Sequence, residues 1–434
     1  MTLTRAPLVP TTLLHELNCF IAGDTRYRSA MRVRQALWRE EQGLEPGLHH
    51  PGGRRDLPAI TLGSLLQPKD ADRGANFLNP AVHAFVRRTL ALREEGAGLQ
   101  PDRLTRNMLS SEPAVFNCLA PLALDLDLAT AVFRHLLPDF VDQVTSIRFE
   151  TSPSRDRTDT RFLSDGTAFD AAIEVVALDG QCATVFLEAK LSESCQGPVA
   201  AWRPRYDEVS RELALHRDPT AKVLRSPALE QFLRLSLLAG LCVRRGLTSR
   251  AHLVVLHPAA NRHVAVATQL YAQELIDPVG TVPSTVGFSA LQLEDFVVAL
   301  AEVGATAQAN YLHHRYVDLQ PVLDRVLALP PSPDEPPVSP PAAGRPRTIS
   351  RRTRPSSVDR GTTTLTNPIA PTAPAKLTSP PSRSAPVRRA RRKPAAPSAI
   401  LSIETRASRS KTGKKSQLDG ASSRTRSSSS RPAA

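Results

Sequence analysis

Asp170 lies eighteen positions before Glu188, and Glu188-Ala189-Lys190 closes the second of two apolar runs that flank Asp179-Gly180. Two carboxylates and an ammonium are the groups that metal-assisted phosphodiester hydrolysis requires. Carboxylates on adjacent strands can hold Mg²⁺ or Mn²⁺, an ion that keeps several waters and reaches a phosphate oxygen. Such an ion stabilises the charge on the phosphate and acidifies water. Lys190 beside it could position that water and offset the charge that develops. The spacing alone is unspecific, because an acid followed at such a distance by Glu-x-Lys occurs in many unrelated chains as a solvated charged face of a sheet.

The surrounding text, residues 164–194, makes the pattern geometric. Two runs rich in Val, Ile, Phe and Ala on either side of Asp179-Gly180 read as a β-hairpin. Side chains alternate faces along a strand, so Glu188 and Lys190 point the same way in any register. The face of Asp170 depends on the turn. A two-residue loop pairs Leu178 with Gln181 and puts Asp170 opposite Ala189, with the sheet between the carboxylates. A three-residue loop, Leu178-Asp179-Gly180, uses the glycine in the left-handed position of a G1 bulge, pairs Ala177 with Gln181 and sets Asp170 opposite Glu188. A working site therefore predicts the three-residue loop.

The elements that must position this hairpin follow from periodicity and caps. Residues 28–43 read as an amphipathic helix, 44–75 as Gly/Pro/His-rich loop, 79–95 as a helix with Asn79 as cap and Pro80 in its first turn, and 126–140 as a helix halted by Pro138. Residues 144–152 read as a strand. Residues 226–246 form the strongest helical pattern, with Ser226 as the expected cap and Gly246 as the stop. A buried strand at 251–258, a helix at 259–275 and a strand end plus helix at 286–302 complete an α/β domain of order α-β-β-β-α-β, a mixed sheet flanked by helices.

Composition divides the chain of 434 residues. Residues 331–434 hold 21 Lys and Arg against 5 Asp and Glu, about +16, and almost no large apolar side chains. Such a segment cannot offset its ordering entropy by burial and is expected to be a disordered basic tail. The remaining 330 residues carry about −3, so the basic pI belongs to the tail. A flexible polycation binds phosphate backbones without sequence preference; a solubilising tail, or one that binds acidic proteins, has the same composition. Five scattered cysteines without a C-x-x-C pair point to reduced thiols in the cytoplasm. The start of the chain lacks a clean signal-peptide core, and the longest aliphatic run, near 235–243, is too short to span a bilayer. No G-x-x-x-x-G-K-[ST], G-x-S-x-G or H-E-x-x-H is present, which argues against P-loop, α/β-hydrolase and zincin chemistry. His252, His257 and His263 fit no standard metal spacing.

Element order and residues together resemble the PD-(D/E)xK nuclease-like superfamily, with Asp170 and Glu188-x-Lys190 on the second and third strands of its core meander. More closely, the chain is similar to an uncharacterised bacterial group of restriction-endonuclease-like proteins. Residues 107–123 (NMLSSEPAVFNCLAPLA), Ile147-Arg148-Phe149-Glu150, 167–175 (TAFDAAIEV), 187–190 (LEAK) and Gln231-Phe232-Leu233-Arg234 carry that likeness. It spans roughly 12–325, and Glu112 departs from it where glutamine is expected. The resemblance implies a restriction-endonuclease-like core at 106–330 behind an N-terminal helical extension at 1–105, and Mg²⁺- or Mn²⁺-dependent hydrolysis of nucleic acid, DNA before RNA. It implies Asp170 and Glu188 as metal ligands, with Glu150, at the end of the first strand, as a candidate third carboxylate, and Lys190 assisting the water. Gln231 and Arg234, one turn apart on one helix face, could reach the phosphate or that water. Glu193 reads as a surface acid at a strand end. Some members of the superfamily have lost catalysis, which leaves a nucleic-acid-binding or scaffold protein acting through its tail as the alternative.

Overall fold

In the computed structural model, residues 3, 5–50, 58–195, 201–282 and 285–330 are described. The expected basic tail lies outside the described residues. The centre of the fold is a five-stranded sheet of β3 (Val141–Thr151), β4 (Phe169–Ala177), β5 (Cys182–Ala189), β6 (Arg250–His257) and β7 (Val286–Gln292), in that spatial order. β3, β4 and β5 form an antiparallel meander, and β6 and β7 join it parallel to β5. A separate antiparallel ribbon pairs β1 (Pro46–His49) with β2 (Ile60–Leu66).

Helices cover both faces of the sheet, so β5 and β6 are buried along nearly their whole length and read as continuous apolar runs. One face carries Ile173, Val175, Val185 and Leu187 into a core shared with the helices Ser111–Leu124, Leu126–Leu136 and Leu293–Glu302. The N-terminal helix Arg26–Glu41 contributes Ala30, Met31 and Val33 to that same core. The opposite face puts Ala172, Phe186, Leu253 and Val255 against the helices Glu230–Arg244 and Arg262–Glu274. No single helix among the described residues is long and apolar enough to cross a membrane.

The hairpin takes the three-residue form. Val176 pairs with Cys182 and Ala171 with Leu187. The Ala177 N–H donates to Gln181 O at 2.8 Å, and the Gly180 N–H donates to Ala177 O at 2.8 Å. Gly180 sits at φ +79° with nothing within 4 Å of where a Cβ would be, so backbone conformation alone disfavours other residues there. Gly180→Val is therefore expected to cost about 1–2 kcal/mol in urea unfolding, the ordinary cost of the left-handed region to a β-branched residue. An unchanged midpoint would mean that the turn does not hold this register.

Three expectations are corrected. Residues 44–75 contain the β1/β2 ribbon and the helix Pro68–Asp72 in place of plain loop. β2 is held from outside its own text: the Gly63 N–H donates to Asn18 O at 2.8 Å, and a Cβ on Gly63 would meet Leu17 O at 2.3 Å. Ser226 does not cap the long helix by its side chain. Its carbonyl accepts from Leu229 N at 3.1 Å and Glu230 N at 3.0 Å, closing a turn before the helix starts at Glu230. The helix from Leu126 ends at Leu136, and β3 starts at Val141, three residues earlier than expected. Asn79 does cap its helix, accepting from Val82 N at 2.9 Å.

Candidate active site

At the open end of the β4/β5 ladder the strands part just beyond Ala171 and Leu187, so Asp170 and Glu188 form the next opposed pair on one face. The Asp170 carboxylate accepts the Ala189 N–H at 2.8 Å, substituting for a strand acceptor where the ladder ends. Lys190 continues the line past the strand, its N–H donating to Leu256 O at 2.8 Å. The helix Glu230–Arg244 brings Gln231 in its first turn onto the same face. There the side chains close a triangle. Lys190 Nζ donates to Glu188 Oε1 at 2.5 Å and to Gln231 Oε1 at 2.9 Å, while Gln231 Nε2 donates to Glu188 Oε1 at 2.8 Å. Glu188 and Lys190 are 4% and 8% exposed, buried enough that neither charge could persist without the other.

Arg234 does not join the triangle. It donates to Glu230 Oε1 at 2.6 Å and to Thr167 Oγ1 at 2.7 Å, and Thr167 in turn donates from its N–H and Oγ1 to Asp165. Tyr206 Oη also donates to Asp165, at 2.8 Å. Arg234 thus clamps the loop that delivers β4 and Asp170. Burial alone would raise Asp165, but the hydrogen bonds from Thr167 and Tyr206 outweigh it and keep the carboxyl below its usual range.

The four residues Asp170, Glu188, Lys190 and Gln231 floor a cleft of about 490 Å³, whose walls include Glu112, Glu150, Glu193, Arg103, Arg155 and Arg157. Glu150 is placed in this wall at φ +45°, but its carboxylate is occupied by the Gly98 N–H at 2.9 Å and Arg155 Nη1 at 3.2 Å. Among the described residues no three His, Cys, Asp or Glu side chains gather as a metal-holding group, so the geometry does not bring Glu150 to the pair as a third ligand. Glu193 is no surface acid. It accepts from Ser111 Oγ at 3.0 Å and Ser192 N at 2.9 Å, tying the helix Ser111–Leu124 to the end of β5.

Burial raises Asp170 well above the ordinary carboxylate range, and the negative charge of Glu188 pushes the same way against Lys190 and the Ala189 N–H. Burial alone would lower the Lys190 ammonium, but Glu188, Glu193 and Asp170 outweigh it and hold it charged beyond the usual lysine range. Burial also lifts Glu112 to about 7, against the opposing Arg103, and its Oε2 has no hydrogen-bond partner among the described residues. Two hard-oxygen donors on one face, whose mutual repulsion Lys190 and the Ala189 N–H offset only in part, fit a divalent ion bound through two carboxylates, as Mg²⁺ commonly is. His252 and His257 are buried core residues, bonded to Ser289 and to the Pro258 carbonyl.

Of the cleft walls, sequence reasoning put only Glu150 at the site and missed the part of Glu112, Arg103, Arg155 and Arg157. Glu112 follows Ser110, whose side chain accepts from Glu112 N at the start of that helix, a capping signal that fixes where the acid sits. Arg103, which meets Glu112 at 3.2 Å, carries no local signal of its own.

No curated protein and no solved structure matches the chain. A sequence model of the PD-(D/E)XK nuclease superfamily matches residues 22–318, beginning well inside the segment expected to be an N-terminal extension. The antiparallel meander carrying Asp170 and Glu188-x-Lys190, the two parallel strands after it and a match across most of the described chain have one common source: the protein belongs to the PD-(D/E)XK nuclease superfamily.

Proposed function

We propose that this protein is a nuclease that hydrolyses phosphodiester bonds in DNA with Mg²⁺ or Mn²⁺, held by Asp170 and Glu188. The observation that carries the reading is the closed triangle of Glu188, Lys190 and Gln231 next to Asp170 at the floor of a polar cleft. When bound, the ion supplies charge stabilisation at the phosphate and an acidified water. Lys190, held charged by its carboxylate neighbours, acts as a fixed cation that orients water and offsets phosphate charge, and does not serve as a base. Gln231 keeps Glu188 and Lys190 in register, and Arg234 holds the loop that aims Asp170. Arg157, at the wall of the cleft, has no hydrogen bond or ion pair among the described residues and is free to meet a backbone phosphate.

The folded part is slightly acidic, so the tail of about +16 supplies non-specific affinity for the polymer. Five cysteines without a disulfide support a cytoplasmic setting. The test is a divalent-metal titration against labelled duplex, single-stranded and branched DNA and RNA, with Asp170→Asn as control. Cleavage of DNA that requires Mg²⁺ or Mn²⁺ and vanishes in the control is expected. Retention of nucleic acid with no cleavage of any substrate would instead identify a binding protein that keeps only the fold.

A further inference from the structure

A second cavity adjoins the catalytic cleft. It has a volume of about 480 Å³ and lies between the helix Pro80–Ala91 and the edge strand β3, with Glu150 in the wall it shares with the cleft. The two chambers differ in chemistry. The cleft is walled by carboxylates and guanidinium groups, suited to a phosphate and its cation. The neighbouring cavity has aromatic walls. Phe149 lies flat on Phe116, with centroids 4.4 Å apart and planes at 8°, and Phe85 meets it edge-on at 5.3 Å. Leu92, 72% exposed, and Arg88 stand at the rim. The Arg88 guanidinium makes no hydrogen bond or ion pair among the described residues. Across the cavity Arg148 is neutralised by Glu174 at 2.7 Å, so Arg88 is the uncompensated cation of the pair.

The partition between the chambers is built. Arg155 bonds Glu94 of the cavity at 3.0 Å and Glu150 at 3.2 Å, and also reaches the Glu150 carbonyl. Glu150 in turn takes the Gly98 N–H at 2.9 Å, and a Cβ on Gly98 would lie 2.9 Å from its Oε1, so the rim loop packs closely onto this carboxylate. Glu150 holds the positive-φ conformation that turns its side chain to this task.

Resting on the nuclease reading above, we propose that the cavity beside β3 is a nucleotide subsite, taking the base next to the scissile phosphate onto its aromatic wall while Arg88 meets the adjoining phosphate. The volume lies within the roughly 300–1,000 Å³ of small-molecule sites, and an aromatic wall with a free cation is the chemistry by which single strands are held. A base inside a duplex is paired and stacked and cannot cross the Glu150 partition without leaving the helix. The substrate is therefore single-stranded DNA or an unpaired end.

The test uses the full chain, with Arg88→Glu and Thr89→Trp, the second filling the cavity; both positions lie outside the catalytic machinery. Thermal melts check that the variants fold. Cleavage with Mn²⁺ and fluorescence anisotropy in EDTA at about 0.15 M salt are read on one oligonucleotide, single-stranded and annealed. The wild-type protein is expected to favour the single strand by at least about tenfold in kcat/KM, and each variant to lose about tenfold of that through KM, with duplex binding unchanged. Variants that cleave the single strand like the wild type would overturn the subsite while leaving the nuclease reading intact. If no protein cleaves, that reading falls and anisotropy alone decides: equal single-strand affinities in all three proteins would hand the cavity to another occupant, such as a peptide paired along the β3 edge.

Discussion

If the proposed nuclease reading holds, Lys190→Ala is expected to lower the rate of DNA cleavage by about 10²–10³-fold, the usual effect of removing one preorganised charge-stabilising donor, while leaving DNA retention in place. The same change should destabilise the protein in EDTA. Glu188 is 4% exposed and its contact with Lys190 is 2.5 Å, so the substitution strands a buried carboxylate beside Asp170. Breaking a buried pair from one side costs about 3 kcal/mol. Because the folded state holds the ammonium above its ordinary range, its contribution is fully present at neutral pH and is lost only as pH rises past the lysine range. Mg²⁺ or Mn²⁺ should then stabilise the variant more than the wild type, since an ion bound only by the folded state replaces the missing charge. Single-turnover cleavage and thermal melts with and without metal read both effects. A variant that cuts at the wild-type rate would remove Lys190 from the chemistry, and an unchanged melt in EDTA would show that Glu188 does not depend on it.

Glu112→Gln should stabilise the protein, and only on the alkaline side. Its carboxyl is raised from 4.5 to about 7 by burial, and one oxygen lacks a partner among the described residues. Between those values the folded state keeps a proton that the unfolded chain has lost, so the stability of the wild type falls as pH rises from about 4.5 to about 7. The full shift, in which the opposing Arg103 is already counted, corresponds to about 3 kcal/mol, and solvent at the cleft leaves part of it. Glutamine is neutral throughout and abolishes this slope. Urea unfolding in EDTA should give nearly equal stabilities at pH 5 and a variant ahead by about 2 kcal/mol at pH 8. A difference independent of pH would mean that the Glu112 charge is already compensated within the cleft.

What could be read locally was read from local rules. The period of two placed Glu188 and Lys190 on one face, and Gly180 at φ +79° selected the bulged loop that sets Asp170 opposite Glu188. Both depend on residues within a few positions of one another, where turn chemistry and strand alternation act without help from the rest of the chain. Asn79 as a cap has the same origin. β2 was hidden because Gly63 and Ser64 give it little strand character; it forms where Leu17 and Asn18 leave room only for glycine.

The chain by itself determined the two hairpin strands, the order of the strands from β3 to β7 and the division of charge between residues 1–330 and the basic residues 331–434. Only the tertiary structure decided the walls of the site. Glu150 sits twenty residues before Asp170, yet it is turned away to Gly98, fifty-two residues upstream, and to Arg155. Glu193 faces Ser111 across eighty-two residues. A carboxylate takes its partner from whichever donors packing brings within about 3 Å, and no periodicity along the chain encodes which distant donors those are.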